Sequence, residues 1–582
     1  MLALLAPEVR IRHTATGVVL SSPVTPGAPA RCIGDWLVRW ARERPEATFL
    51  AERAGDGGWA RLSYGDALAA VEGIASGLLE RGATPDRPVM ILSDNSVASA
   101  LVALGAMHAG IPASPVSAAY SLQSARFERL RAVADQLAPG FVFADDPVKY
   151  GAALAALGDR ERIDAGALAR TPRSPAVDRR RERAFDAITP ATIAKVLFTS
   201  GSTGAPKGVV NTHRMLTSNQ ESLAACWPFV AAAPPVIVDW LPWSHTFGGN
   251  HNFNLILRNG GSLYLDRGRP APGLLETTIA NLAEIAPTMW FNVPRGFDQA
   301  VALLEADERA ARAIFSRLDL VFYAAAALGP VTRARLEQVA ARAGRPDVFF
   351  TSAWGSTETS PLATSAHFAT QTTGNLGVPI PGIELKLAPV QDRLELRVRG
   401  ANVTPGTWQP GGTIAPIALD ADGFLPTGDA GRLVDDAHPA AGILFGGRLG
   451  ENFKLSSGTW VSVAQVRLGL IDACAPLVLD AVIAGHDRAQ LGALVFLAPA
   501  ARQVPEVAAR LAAALAAYNA AHPASSERIA RLLVLGEPLS LDDGETTDKG
   551  YTNQRRVLER RAAAVTDLFA EPPAPDVLCA DP

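Results

Sequence analysis

The chain reads as an α/β protein of two or more domains, on three observations. Its 582 residues exceed what one hydrophobic core supports. Short runs rich in β-branched and aromatic residues recur between stretches of helical apolar spacing, the pattern of parallel sheets covered by helices. Near Gln391 this alternation gives way to turn-rich segments, which predicts short antiparallel strands and a change of architecture.

Taken in order, residues 32–44 have helical apolar spacing, and Ser63 is placed to cap an amphipathic helix that ends at Gly82. VMILSD (89–94) reads as a buried strand. The long apolar stretch 97–120, in which His108 is the one side chain that titrates near neutrality, is broken by Gly105, Gly110, Pro112 and Pro115. It is expected to be a buried helix running into a strand, not a membrane span. Further strands are expected at 141–145, 196–200, 236–240, 262–266, 288–293, 319–325 and 348–354. The basic run 170–183 reads as a solvated linker face. A second boundary is expected around 446–454, followed by a smaller α/β unit with an Ala-rich helix over 507–521 and a C-terminal helix from about Asn553. The last dozen residues are expected to fray. No repeat of 20–50 residues is present.

Composition narrows the function classes. With 54 basic against 58 acidic residues the net charge is −4, so no overall positive field attracts nucleic acid or anionic lipid. Hydrophobic residues make up 48% and charged residues 19%, values of a folded chain, not a disordered one. Cys32, Cys226, Cys474 and Cys579 lack metal-ligand spacing, and so few thiols fit a reducing compartment. MLALLAPEVR has no basic leader and too short an apolar core for a signal peptide, so a cytoplasmic protein without a membrane span is expected.

The sharpest chemical signal is TSGSTGAPKG (199–208), directly after the strand KVLFT. Thr199, Ser200, Gly201, Ser202, Thr203 and Gly204 offer backbone N–H groups and hydroxyls to phosphate oxygens, and Lys207 adds a mobile positive charge. A P-loop requires Gly before the Lys, and Pro206 stands there instead. This string resembles the phosphate-loop signature of the adenylate-forming (acyl-activating) superfamily, which includes acyl-CoA synthetases, adenylation domains and luciferases.

Companion motifs follow in the superfamily's order, over roughly residues 36–560. The resemblance of WGSTE (354–358) implies that Trp354 stacks on adenine beside Gly355, that Thr357 contacts phosphate and that Glu358 ligands Mg²⁺. YAAAALGP (323–330) is similar to the small-residue segment along the adenine, with Ala325 and Ala326 as its wall and alanine where glycine is usual. PTGDAGRL (426–433) resembles the motif whose Asp holds both ribose hydroxyls, here Asp429, a role that suits an acceptor-only carboxylate. GGRLGENFKLSSGTWV (446–461) resembles the interdomain hinge. Arg448 then reaches the ribose, Glu451 replaces the usual Asp at the pivot, Gly450 stands where Lys is common, and Lys454 and Gly458 line the thioester-forming site. The catalytic lysine of the superfamily maps to Lys549 in DDGETTDKGYTNQRRV, although Gly544 is five residues upstream, not adjacent. Lys454 is the competing lysine.

Within the superfamily, residues 239–266, FNVPRGF (291–297) and the ending DKGYTNQRRVLERR look most similar to feruloyl-CoA synthases, which are hydroxycinnamate–CoA ligases. The resemblance implies an N-terminal ATP- and acid-binding domain over 1–446, with a β-rich, barrel-like part at 390–446. It also implies a small mobile C-terminal α/β lid (an α+β unit) over 447–582, hinged near Glu451. The acid pocket is expected from His245, Phe247, Gly248 and Asn250, with Trp290, Asn292 and Tyr323; His245 either gates the carboxylate or the coenzyme A tunnel, or packs in the core. The expected ligands are ATP, Mg²⁺, coenzyme A as co-substrate and a small carboxylic acid, with a homodimer left open. Three rivals remain: activation of a benzoate or fatty acid, loading of a carrier protein, and a nucleotide-binding scaffold without catalysis. An amino-acid-loading domain holds its amine with an acid just after the WSHTF position, and WSHTFGGNHNFN supplies none.

Overall fold

The computed structural model describes residues 2–200, 206–271, 273–547 and 552–580, except the side chains of Ser200 and Ala500. It divides into two compact units. The first comprises Met1–Pro389, Arg397–Pro426 and Leu433–Leu444; the second comprises Val390–Leu396, Thr427–Arg432 and Phe445–Pro582. The expected boundary at 446/447 thus falls at Leu444/Phe445, and two short β segments go with the second unit.

In the first unit an eight-stranded sheet runs in the order Thr413–Pro416, Gly406–Gln409, Pro206–Thr212, Ile193–Ser200, Ala113–Val116, Val89–Leu92, Phe141–Ala144, Arg162–Ile163. Its central strands are parallel and buried on both faces, which is why they read as uninterrupted apolar runs. A second sheet carries Val236–Asp239, Ser262–Leu265, Thr48–Arg53 and Trp59–Ser63; a third starts with parallel Met289–Asn292, Leu320–Tyr323 and Phe349–Gly355. Ser63 caps the helix Tyr64–Glu80 by accepting from the Asp66 N–H at 3.1 Å. The apolar stretch after Asn95 forms the helix Val97–His108 and then the strand Ala113–Val116. Among the described residues no helix is long and apolar enough to cross a membrane.

The second unit is built on a four-stranded sheet, Val478–Ala484, Leu491–Leu497, Ile529–Leu535 and Val577–Cys579. The helices Val463–Ala473 and Val507–Ala521 cover it, burying Leu470, Leu511 and Leu515 against Ile483, Ala493 and Val495.

Three expectations are corrected. Among the described residues no closed barrel forms, because Gly406–Gln409 and Thr413–Pro416 extend the eight-stranded sheet as its edge. The basic run is no linker: Ser174 caps the helix Pro175–Asp186, and Arg173, Arg180 and Arg181 pair with Glu72 and Glu80 of the helix Tyr64–Glu80. Part of the C-terminal stretch is also paired. Val577–Cys579 supplies an edge strand to Ile529–Leu535 with Val577 buried, a three-residue element too short to carry a periodicity signal.

Candidate functional site

Thr199 and Lys207 are Cα partners in the antiparallel hairpin Ile193–Ser200/Pro206–Thr212, with Pro206 opposite Ser200. Ile193–Ser200 also continues the parallel array through Ala113–Val116, so the hairpin projects from the carboxyl end of a parallel strand, where open α/β sheets bind ligands. The connecting residues Gly201, Ser202, Thr203 and Gly204 lie outside the described residues, as does Lys549.

Phe349–Gly355 leads Trp354 and Gly355 into the turn Thr357–Thr359. A Cβ on Gly355 would stand 1.7 Å from the Pro361 carbonyl oxygen, so only glycine lets the chain double back there. The Ser356 N–H donates to Pro361 O at 3.1 Å and to Thr359 Oγ1 at 2.8 Å. Thr404 joins this turn to the hairpin: its N–H donates to Glu358 O at 2.8 Å, and its Oγ1 to Val210 O at 2.6 Å. Asn402 Nδ2 adds bonds of 2.8 Å to the carbonyls of Thr359 and Leu362. The two motifs, far apart in sequence, are therefore one hydrogen-bonded body. Glu358 is half-buried, and its carboxylate makes no ion pair with a described residue. Among the described residues no cluster of three His, Cys, Asp or Glu could hold a metal; a Mg²⁺ held at Glu358 would take its remaining oxygens from nucleotide and water. Trp354 is 9% exposed. Ala325 and Ala326 are exposed, and Ala325 has a φ of +77°. That left-handed backbone costs alanine about 1 kcal/mol and glycine nothing, which accounts for glycine being usual there.

In the second unit Asp429 meets Arg448, with Nε 3.5 Å from a carboxylate oxygen. The Gly428 N–H donates to Glu395 Oε1 at 3.0 Å and Thr427 Oγ1 to Leu396 O at 2.6 Å, fixing the backbone that presents Asp429. Burial holds the Glu451 carboxyl above the usual range, with Arg448 and Arg467 pulling it down. Lys454 belongs to the hairpin Phe453–Lys454/Trp460–Val461, with Nζ 4.9 Å from the Trp460 ring centre, and Gly458 turns that hairpin at a φ of +83°. Lys454, Trp460, Asp392 and His486 are among the residues lining a cavity of about 400 Å³.

The expected acid-pocket segment folds as a π-helix, Phe247–Asn252. Cβ atoms at Gly248 and Gly249 would stand 2.3 Å from the carbonyl oxygens of Leu241 and Trp243, so the two glycines let the turn press onto the preceding loop. Asn250 is buried: its Nδ2 donates to Asn211 Oδ1 (2.6 Å) and Thr246 Oγ1 (3.1 Å), and Lys195 Nζ donates to its Oδ1 (3.3 Å) and to Gly249 O (2.8 Å). His245 is half-buried, its backbone N–H donating to Pro242 O at 3.1 Å. Phe247 is half-buried as well, with ring centres 5.5 Å from Phe322 and 6.5 Å from Phe291.

Strand alternation separates the remaining candidates. Asn292, Tyr323 and Ser352 are in register at the carboxyl ends of three parallel strands. Trp290, however, faces the helix-covered core, 1% exposed and 4.9 Å from Phe297, and Tyr323 packs against that same core. With a side-chain period of two, Phe291 and Phe322 take the opposite face, beside Phe247. The aromatic wall is thus Phe247, Phe291 and Phe322, and Trp290 is a core residue. Lys195, His251, Phe291, Phe322 and Thr404 went unnoticed in the sequence; face alternation in MWFN and LVFY was the available signal for the two phenylalanines.

A family model described as AMP-binding enzyme matches residues 37–408, and one described as AMP-binding enzyme C-terminal domain matches residues 456–572. A methyl-dioxo-octahydro-indenyl-propanoyl:CoA ligase of Rhodococcus jostii is 28% identical over 426 residues, 69% of this chain and 76% of its own. A long-chain-fatty-acid–CoA ligase of Mycobacterium bovis is 24% identical over an alignment that covers 90% of this chain and 95% of that one. The structure of O-succinylbenzoate coenzyme A synthetase from Bacillus subtilis in complex with AMP matches with a TM-score of 0.68 at 18% identity, covering 91% of this chain and 98% of that chain.

Proposed function

The chain belongs to the AMP-binding enzyme family, and from that premise we propose that it is a carboxylate–CoA ligase whose acid is aromatic, of the hydroxycinnamate type. It joins an acid to coenzyme A at the expense of ATP, which becomes AMP and pyrophosphate. In the first step a carboxylate oxygen bonds to the α-phosphorus of ATP as the bond to the β-phosphate breaks. The carboxylate is already a competent nucleophile, so the protein supplies alignment and charge stabilisation. The loop between Thr199 and Lys207 holds the phosphates, and Glu358 holds Mg²⁺, which offsets charge on the phosphate oxygens. Asp429 and Arg448 hold the ribose. Lys549 neutralises charge between carboxylate and α-phosphate. In the second step the coenzyme A sulfur attacks the acyl carbonyl and AMP leaves, a step assigned to the side of the hinge carrying Lys454 and Gly458, with Glu451 as pivot.

The observation that carries the aromatic reading is the cluster Phe247–Phe291–Phe322, three rings in contact beside a π-helical turn, with Phe247 half-buried and the other two buried. The acid in the name of the Rhodococcus relative is cyclic but saturated, so it favours a bulky ring without favouring an aromatic one. The Mycobacterium relative favours a second reading, a long-chain fatty acid. Pyrophosphate release and thioester mass, measured over 4-hydroxycinnamic, ferulic, benzoic, hexanoic and palmitic acids with ATP, Mg²⁺ and coenzyme A, decide between them. Higher kcat/KM for ferulate or 4-hydroxycinnamate than for hexanoate or palmitate is expected; preference for palmitate over every aromatic acid overturns the reading.

A further inference from the structure

Behind the aromatic wall lie two buried polar atoms with no partner among the described residues, His251 Nε2 and Trp227 Nε1. Both side chains are fully buried, and their rings meet edge to face at 5.9 Å between centres. Both touch the wall: His251 stacks on Phe322 at 5.0 Å and lies 5.5 Å from Phe291 and 5.9 Å from Phe247, and Trp227 meets Phe322 at 5.8 Å. An unpaired buried polar atom costs about 1–3 kcal/mol, so two in one cluster ask for a reason.

The tautomer of His251 follows from its neighbours. Asn252 Nδ2 donates to the Asp239 carboxylate at 2.7 Å, which turns the Asn252 carbonyl oxygen toward His251 Nδ1 at 2.8 Å. Nδ1 therefore carries the proton and Nε2 presents a lone pair. Burial pushes this imidazole down to about 4, so it stays neutral at working pH. The Trp227 indole N–H can only donate. The pair thus offers one acceptor and one donor, set among aromatic rings.

We propose that His251 Nε2 and Trp227 Nε1 read a ring hydroxyl of the acid, which donates to the first and accepts from the second. A phenol supplies both functions from one oxygen, and its ring shares the wall of Phe247, Phe291 and Phe322. Phe247 is the half-buried member of that wall. The proposal rests on the aromatic reading of the acid pocket and makes His251 and Trp227 determinants of specificity within it.

The test compares 4-hydroxycinnamate with cinnamate, which differ only in that hydroxyl. A site built to bond a hydroxyl rejects the analogue lacking it, so wild-type kcat/KM is expected to be at least about 10²-fold higher for 4-hydroxycinnamate. In His251→Phe this ratio falls to about one. Trp227→Phe, which removes the N–H but keeps an aromatic ring, lowers the ratio by about tenfold, the scale of one hydrogen bond, and serves if the first variant does not fold. A wild type that does not discriminate overturns the proposal. So do variants that slow both acids equally, the result expected if a buried water joins the two atoms; in either case cinnamate turnover leaves the aromatic reading standing. Absence of turnover with every aromatic acid, alongside turnover of palmitate, overturns both.

Discussion

Gly355→Ala tests whether the turn 355–361 sets the position of the reacting nucleotide. The added Cβ would stand 1.7 Å from Pro361 O and 3.1 Å from Thr359 Oγ1, against an ordinary contact of at least 3.4 Å. Restoring that contact takes a shift of about 1.7 Å in a backbone that is paired at Gly355↔Leu362 and tied down through Ser356, Asn402 and Thr404. The shift falls on the residues that carry Thr357 and Glu358. A misplacement of about 1 Å costs about 10²-fold in rate, or about 2.7 kcal/mol of barrier, so pyrophosphate release should fall by at least that factor. Overpacking costs a further 1–3 kcal/mol or so of stability, which a thermal melt reads separately. Gly55→Ala is the control, because a Cβ there meets nothing within 4 Å. Its activity and melting temperature should match the wild type. Pyrophosphate release by Gly355→Ala within about threefold of wild type, on an unchanged melt, refutes the reasoning.

Glu358→Gln keeps the shape and removes the charge that offsets Mg²⁺, so turnover at saturating Mg²⁺ should fall by about two to three orders of magnitude, read by pyrophosphate release. Lys549→Ala should lose about 3 kcal/mol of transition-state stabilisation in adenylation yet convert synthetic feruloyl-AMP and coenzyme A to thioester near the normal rate; equal damage to both steps rejects the assignment, and Lys454→Ala is the comparison. The first unit should lose stability in acid. Burial holds the imidazoles of His108, His251 and His367 down to about 4 and His213 down to about 3, so the stability they contribute above pH 6.5 is lost as pH falls toward 4. Asp239, pushed up to about 7 by burial, opposes one of these four, leaving a net uptake of about three protons on unfolding at pH 5 and a slope of about 4 kcal/mol per pH unit. Urea midpoints at pH 7, 6 and 5 check this; a flat or rising profile toward pH 5 contradicts it.

Signals confined to a contiguous stretch were legible in the sequence, and signals made by two stretches were not. The strands 89–92, 141–144 and 236–239 lie within the apolar runs that announced them, and Ser63 caps its helix, because each depends on local spacing. TSGSTGAPKG and WGSTE were likewise found as strings, but Thr404, which binds one to the other, belongs to neither. Trp290 was a pocket candidate through the family resemblance, whereas the strand's alternation sends it into the core and puts Phe291 on the face of Phe322. Val577–Cys579 was read as a frayed tail because its pairing partner lies more than forty residues upstream.

The same reasoning explains why a π-helix stands at the acid wall. Gly248 and Gly249 let its first turn press against the loop before it, and two buried ionisable groups fix it from opposite ends. Lys195 holds Gly249 O and Asn250, and Asp239 holds Asn252. Burial lowers the Lys195 amine to about 7 and raises the Asp239 carboxyl to about 7, shifts that follow from desolvation and oppose folding in charged form. Neither group makes an ion pair among the described residues, so no partner charge offsets that desolvation. What they supply instead is position. Lys195 lies on the strand that ends in Thr199 and Ser200, and it bonds Gly249 and Asn250 of the π-helix Phe247–Asn252, so the hairpin and the π-helix are fastened to each other by one amine. On the proposed roles of those two elements, an acid seated there would be held at a fixed distance from the phosphates, which is the alignment that attack on the α-phosphorus requires.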